Sequence, residues 1–286
     1  MHSALLFGAS GQIGRALGER LRNSGWSVTA VSRGTHADVQ GLAWLQADLA
    51  GEAQWPQRVD AIFSCGPLDL FSLWHAAHAG VQCPRIVAFG STSADVKQDS
   101  PDASERKLAT LLRESESRLF ETAAARDAHV TVLRPTLVYG AGRDRTLSSI
   151  ARIASRAGWF VLPRGATGLR QPVHVEDLAQ AAQDVVHAPV SAGRTYALPG
   201  GETLAYREMV RRTLACLQPP ARLLEVPAPL FKAALAAARM SGRLTAASDA
   251  VLGRMRQDLV FDCGPAVRDF GYAPRGFDPA PGAFGS

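Results

Sequence analysis

Apolar and polar positions along the chain alternate between two periods. Leu5, Leu6 and Phe7 form a short apolar run closed by glycine, the pattern of a buried strand. Beyond it Ile13, Leu17 and Leu21 recur every four positions while Arg15, Glu19, Arg20 and Arg22 face elsewhere, which predicts an amphipathic helix. Further strands are predicted at Trp26–Arg33, Gly41–Leu49, Val59–Gly66, Pro84–Thr92 and Val130–Gly140. Helices are predicted over Leu70–Ala79 and from about Ser104 to Ala128. Strands alternating with helices argue for an α/β fold, a doubly wound parallel sheet covered on both faces. Ligands of such sheets bind beyond the C-terminal ends of the strands. The residues at those ends are Gly8, Arg33, Asp48, Cys65, Gly66, Ser91, Thr92, Ser93 and Pro135.

From about Gly140 the character changes. Pro and Gly become common, and only Thr195–Gly200 and Leu223–Pro227 read as strands. The expected organisation is a first domain over residues 1–165 and a smaller mixed α/β substrate region over 166–286. The latter partly returns to pack on the first domain and closes over its ligand. The Pro- and Gly-rich stretch from Arg268 to Ser286 is expected to wrap the surface, and no internal repeat is visible.

The first turn carries the chemistry. Gly8, Gly11 and Gly14 stand between a strand and a helix, with Ser10, Gln12 and Ile13 among them. Such a turn leaves backbone N–H groups free at a helix N-terminus, where they and the helix dipole favour an anion, commonly a phosphate. The first glycine permits the turn, the second admits a pyrophosphate and the third lets helix pack on strand. The spacing is G-x-x-G-x-x-G rather than G-x-G-x-x-G, and a ligand-free glycine turn is the bland alternative.

In a dinucleotide fold, an acid about 20 residues on bonds the ribose 2′-OH of NAD, whereas an arginine accommodates the 2′-phosphate of NADP. Here the second strand ends in Val31-Ser32-Arg33-Gly34, with no acid. Arg33 suits a bidentate phosphate contact and Ser32 adds a hydroxyl, which favours NADPH over NADH. The alternative for Arg33 is a plain surface residue at a strand end. Asp48 and Leu49 would then flank the adenine.

Composition narrows the classes. The chain has 286 residues and a net charge of +5, carried almost wholly by arginine, since the lysines are Lys97, Lys107 and Lys232. Basic residues are mixed with acids, which favours a solvated surface over nucleic-acid binding. No run of about 18 apolar residues occurs, so no membrane span is expected. Cys65, Cys83, Cys216 and Cys263 are scattered without ligand spacing, so neither a metal site nor a disulfide framework is indicated. With no charged leader, a cytoplasmic location is expected.

At this point the residues carry a resemblance. GASGQIG at residues 8–14, FGSTS at 89–93, LRPTLVYG at 133–140 and RQPVHVEDLAQA at 170–181 stand in order. YALPGGETLAYREM at 196–209 and LVFDCGPAVRDFGYAPR at 259–275 follow them. Together they resemble an extended short-chain dehydrogenase/reductase of the NAD-dependent epimerase/dehydratase kind, which acts on nucleotide sugars. The resemblance implies a Rossmann-type sheet and a cofactor site of Gly8, Ser10, Gly11, Gln12, Ile13, Gly14, Ser32, Arg33, Asp48, Leu49, Cys65, Gly66 and Pro135. It also implies catalytic hydroxyls among Ser91, Thr92 and Ser93.

The family's mechanism uses a tyrosine and, four residues later, a lysine that lowers its pKa. The long helix between Ser93 and Val130 has no tyrosine; the four tyrosines are Tyr139, Tyr196, Tyr206 and Tyr272. Aligning the helix on Glu121 puts Arg113 or Glu114 at the tyrosine position and Ser117 or Arg118 at the lysine position. An arginine stays protonated and is no base near neutral pH. Glu114 and Arg118 are also i,i+4 neighbours, so a surface ion pair is the plain reading.

Arg143, Arg145 and Arg170 suit a substrate diphosphate or else ion pairs with Asp144 and Glu176. His174 faces substrate or bonds backbone. The segment FKAALAAARM, 231–240, reads as a packed helix or a homodimer contact, ahead of a membrane-surface helix. Two functions follow. One is an NAD(P)-dependent oxidoreductase or epimerase acting by hydride transfer on a nucleotide sugar or similar phosphorylated substrate. The other is a catalytically inactive dinucleotide-binding protein with a structural or sensing role.

Overall fold

The computed structural model describes residues 2–51, 53–144, 146–231, 233 and 249–284. Two compact units interleave along the sequence. Unit 1 is Met1–Thr136, Val175–Leu198 and Asp262–Pro274; unit 2 is Leu137–His174, Pro199–Phe261 and Arg275–Ser286.

Unit 1 begins with β1 (Ser3–Phe7), α1 (Gln12–Asn23), β2 (Ser27–Ser32), β3 (Leu42–Gln46) and β4 (Ala61–Ser64). It continues with α2 (Leu68–Ala77), β5 (Arg85–Phe89), α3 (Ser93–Val96), α4 (Ala103–Ala124) and β6 (His129–Pro135). After the chain's first passage through unit 2 it adds α6 (Val175–Val186), β11 (Arg194–Leu198) and α9 (Gly264–Phe270). The strands form one seven-stranded parallel sheet in the order β11-β6-β5-β4-β1-β2-β3. This is the α/β, Rossmann-type sheet that the alternating pattern predicts. Phe7 pairs with Val31 on one side and Ser64 on the other, so the residues after β1, β2 and β4 emerge along one edge.

The helices form where the apolar stripe demands cover. Ile13, Ala16, Leu17 and Leu21 bury one side of α1, which lies against α6. On the α2/α4 side, Phe7, Phe71, Trp74 and Leu119 share a core with Ile62, Ile86 and Val132. Each such large apolar side chain contributes about 1.5–3 kcal/mol on full burial.

Unit 2 contains β7 (Val138–Tyr139), α5 (Leu147–Ala157), β8 (Trp159–Pro163), β9 (Leu169–Arg170) and β10 (Val173–His174). It also contains β12 (Leu204–Ala205), α7 (Tyr206–Ala215), β13 (Arg222–Val226) and α8 (Asp249–Arg256). Its pairings are short: β10 with β7, β12 with β9, β13 with β8. Tyr139, Leu147, Leu162, Met209 and Phe277 centre a separate core.

Two expectations about the strands are corrected, and one strand is added. The strand foreseen over 130–140 ends at Pro135, and Val138–Tyr139 pairs with β10 instead. The strand around Thr195–Gly200 is not part of a second region: β11 pairs with β6, Tyr196 beside Leu133, and completes the large sheet. Tyr196 and Leu198 are buried there, which is what the alternation of that strand demands. Trp159–Pro163 is a strand that the reading above left out, although it is an apolar run bounded by Gly158 and a proline.

Candidate functional site

The turn after β1 is a tight cradle. Gly8 has φ +68°, and a Cβ there would stand 2.6 Å from Gly66 N and 2.7 Å from the Cys65 carbonyl carbon. Gly11 donates its N–H to the Gly8 carbonyl at 2.9 Å, closing the turn. Gly14 backs onto Gly8 and Ala9, where a Cβ would come within 2.8 Å of backbone carbon. α1 therefore starts at the crevice between β1 and β4, its N-cap Gly11 supplying no side-chain hydrogen bond and its first turn carrying no acid. Its free N–H groups and positive end suit an anion. Gln12 Oε1 is buried there without a partner. Ile13 faces the core. The cradle, which a single Cβ would fill, fits a dinucleotide pyrophosphate.

The tip of β2 lies beside it. Ser32 is buried, and its Oγ accepts the Gly34 N–H at 3.2 Å, meets His36 Nε2 at 3.0 Å and reaches Ser10 Oγ at 3.4 Å. Arg33 is exposed; its carbonyl accepts Gln46 Nε2 at 3.2 Å, and its guanidinium has no partner among the described residues. Asp48 lies two residues past the end of β3, where its Oδ1 accepts the Ala50 N–H at 3.2 Å, and Leu49 packs on the sheet core. Beyond β4, Cys65 donates its N–H to the Phe7 carbonyl, so Cys65 and Gly66 form the wall that Gly8 touches. Burial pushes the Cys65 thiol far above its ordinary pKa, which keeps it neutral.

The three hydroxyls after β5 have different duties. Thr92 is buried and donates both its N–H and its Oγ1 to the Pro135 carbonyl, tying α3 to the end of β6. Ser91 Oγ accepts the Ser93 N–H at 3.1 Å and keeps its own proton. Ser93 Oγ has no partner among the described residues.

Beneath them lies a cluster that the sequence reading missed. Arg134 of β6 grips Glu116 of α4 through two nitrogens, Nε at 2.9 Å, and grips Asp95 of α3 through Nη1 at 2.7 and 2.8 Å. Burial disfavours the charged guanidinium, but Glu116 and Asp95 outweigh it and hold the Arg134 pKa above its ordinary value. A Cβ on Gly90 would stand 2.9 Å from Glu116 Oε1, so the carboxylate lies against the backbone that leads to Ser91. The signal was present: Ala109, Leu112, Glu116, Leu119 and Ala123 follow one helical stripe, and Glu116 is its acid.

The positions singled out by aligning on Glu121 face away. Arg113, Glu114 and Ser117 are exposed and line a recess with Gln98, Asp99 and Glu121. No Glu114–Arg118 ion pair forms among the described residues; Arg118 donates to Ser72 Oγ at 3.0 Å. α4 holds no tyrosine.

The expected substrate residues belong to unit 2. Arg143 is exposed beside Asp144, whose buried carboxylate accepts the N–H groups of Thr146, Leu147 and Ser148 at the start of α5. His174 stands edge-on to Tyr139 at 5.0 Å and covers Gly140. Arg170 is buried; its terminal nitrogens donate to the carbonyls of Leu169, Gln257 and Arg254, and its guanidinium lies 5.3 Å from the Tyr206 ring centre. Arg145 and most of the 231–240 segment lie outside the described residues. Among the described residues no helix is long and apolar enough to cross a membrane, and no group of three His, Cys, Asp or Glu side chains is arranged to hold a metal ion.

Residues 4–81 match the NAD dependent epimerase/dehydratase family. A UDP-glucose 4-epimerase of Vibrio cholerae is 26% identical over 163 residues, 56% of this chain and 47% of that protein. A protein of Arabidopsis thaliana, NADH dehydrogenase [ubiquinone] 1 alpha subcomplex subunit 9, mitochondrial, is 26% identical over 257 residues, 80% of this chain and 61% of its own. The chain thus spans about half to three fifths of the length of these relatives. Among solved structures, UDP-glucuronic acid 4-epimerase from Bacillus cereus in complex with NAD superposes with a TM-score of 0.71 at 12% identity, covering 95% of this chain and 91% of that one. MoeE5 in complex with UDP-glucuronic acid and NAD gives 0.70 at 20%, covering 96% and 94%. These likenesses concern the fold, and they agree with the sheet order and the glycine cradle at its reversal point. The match to the NAD dependent epimerase/dehydratase family thus covers residues 4–81, and the fold over most of the chain is that of these solved structures.

Proposed function

We propose that the protein binds NADPH in preference to NADH and uses it in hydride exchange with a nucleotide sugar or a similar phosphorylated substrate. The observation that carries this reading is the cradle of Gly8, Gly11 and Gly14 at an uncapped helix start. When bound, the nicotinamide supplies the hydride chemistry. The backbone N–H groups at the start of α1 hold the pyrophosphate, and Cys65 and Gly66 wall the crevice. Arg33, exposed at the tip of β2, meets the 2′-phosphate.

Ser91 and Ser93 hydrogen-bond the reacting carbonyl or hydroxyl, because the Thr92 proton already goes to the Pro135 carbonyl. Arg134, Glu116 and Asp95 position that hydroxyl segment. The proton that accompanies hydride movement comes from solvent or from a carboxylate, since α4 offers no phenol. Arg143 and His174 of unit 2 are proposed substrate ligands; Arg170, already bonded to three carbonyls, is proposed as a structural tie. The family's named relatives that bind UDP-sugars support the substrate class. Cytoplasmic residence and a homodimer belong to the same reading.

A second reading has its own support. The tyrosine-free α4, together with a relative named as a subunit of NADH dehydrogenase, favours a protein that keeps the dinucleotide without turnover. One experiment separates the two. Fluorescence titration with NADPH and with NADH comes first, followed by a screen of nucleotide sugars for a change in nicotinamide absorbance. Binding with turnover supports the enzyme; binding without turnover across the screen supports the second reading; binding of neither dinucleotide removes both.

A further inference from the structure

The loop after β2 brings a third group to the ground between the glycine turn and the β2 tip. The His36 ring lies on Trp44 of β3, centroids 4.0 Å apart and planes 30° from parallel. The Trp44 backbone N–H donates to Asp38 Oδ1 at 2.7 Å, which closes the loop around the stack. Held this way, the imidazole turns Nε2 toward Ser32 Oγ, 3.0 Å away, and Ser32 Oγ in turn reaches Ser10 of the glycine turn. Ser32 Oγ already accepts the Gly34 N–H. Two hydroxyls and an imidazole edge therefore converge where the adenosine ribose of a dinucleotide seated on α1 belongs. The stack fixes the ring beforehand, so little ordering entropy opposes its use by a ligand.

We propose that His36 is a second cationic ligand of the 2′-phosphate, taking up a proton from solvent when NADPH binds and so coupling the choice of cofactor to pH. This rests on the reading that the β2 tip receives a 2′-phosphate. Imidazole is the side chain whose charge changes closest to neutral pH, and an arriving phosphate favours its charged form. The charged residues of the same loop are Arg33 and Asp38. Arg15, Glu19 and Arg22 of α1 line the recess shared with Ala37 and Trp44.

The test is calorimetric titration of the whole protein with NADPH and NADH in two buffers of different protonation enthalpy, about one pH unit above the ordinary imidazole range. The wild type is expected to take up protons with NADPH and none with NADH. His36→Gln and His36→Phe, the second keeping the stack on Trp44, are each expected to weaken NADPH about tenfold, abolish the uptake and leave NADH unchanged. Unaltered NADPH affinity and proton uptake in both variants overturn the proposal. Arg33→Gln separates the two layers. If it lowers the NADPH preference while the His36 variants change nothing, only the role of His36 falls. If Arg33→Gln changes nothing, or neither dinucleotide binds, the 2′-phosphate reading falls and the role of His36 with it.

Discussion

Gly14 rests on the carbonyl group of Gly8: a Cβ at Gly14 would lie 2.8 Å from the Gly8 carbonyl carbon. The third glycine therefore sets how closely α1 approaches the end of β1, and with it where the first N–H groups of the helix point. Gly14→Ala must push backbone from backbone, since no flexible side chain is there to yield. It is expected to lower stability by about 1–3 kcal/mol and to weaken NADPH and NADH alike by at least about tenfold. Chemical denaturation and fluorescence titration check the two effects. Gly80→Ala, at an exposed glycine with nothing within 4 Å of its Cβ, is the control and is expected to do neither.

Arg33→Glu places a carboxylate where the 2′-phosphate is proposed to lie. NADPH affinity is expected to fall by about a hundredfold or more, the size of losing one charged hydrogen-bonding partner and adding a repulsive one. NADH affinity is expected to hold or rise. An equal loss for both cofactors in the titration removes the 2′-phosphate assignment.

Arg134 holds two carboxylates of unequal burial, Glu116 with a side chain 6% exposed and Asp95 with one 48% exposed. Glu116→Ala leaves a largely buried guanidinium without its main partner, and about 3–5 kcal/mol of stability is expected to go. Asp95→Ala removes a solvated partner and is expected to cost less than about 1 kcal/mol. Urea denaturation of the two variants measures the ratio. Comparable losses would show that Arg134 depends on both acids equally.

His75 of α2 predicts an acid-sensitive window. Burial, helped by the charge of Arg126, lowers its pKa to about 4. Thr122 Oγ1 gives its proton to the Arg118 carbonyl, so the His75 Nδ1–H donates to Thr122, and burial is what favours the neutral ring. The unfolded chain therefore binds a proton that the folded chain refuses. Stability is expected to fall as pH drops from about 6.5, the ordinary histidine value, to about 4, by roughly 3 kcal/mol in all. Below that pH this contribution changes no further. His75→Gln should flatten the slope in urea midpoints measured across the window; an unchanged slope assigns it to other groups.

Much of unit 1 was legible because its elements announce themselves locally. Leu5–Phe7 followed by three glycines can hardly be other than strand, turn and helix, and the period along α1 shows which face turns inward. The strand ends at Gly8, Ser32, Cys65 and Ser91 followed from that same alternation. What escaped depends on distant pairing. Thr195–Leu198 looks like any short strand, and only the hydrogen bonds to β6 reveal that it closes the large sheet. Arg170 reads as an anion ligand until the carbonyls of Arg254 and Gln257, more than eighty residues on, take its protons. Glu116 was hidden among neighbouring acids, and its place in the apolar stripe is what sets it apart. His36 carried no signal of its own, because the stack on Trp44 and the approach to Ser32 arise only when the loop after β2 folds back on β3.

The late arrival of β11 has a consequence for synthesis. β6 is made early in the chain, but its outer edge is covered only by Arg194–Leu198, some sixty residues later, after the chain has passed through unit 2. A nascent chain that has reached Thr136 holds six of the seven strands and presents β6 as a bare template of N–H and C=O groups. The growing protein is therefore open to strand invasion by other chains for the interval between the two.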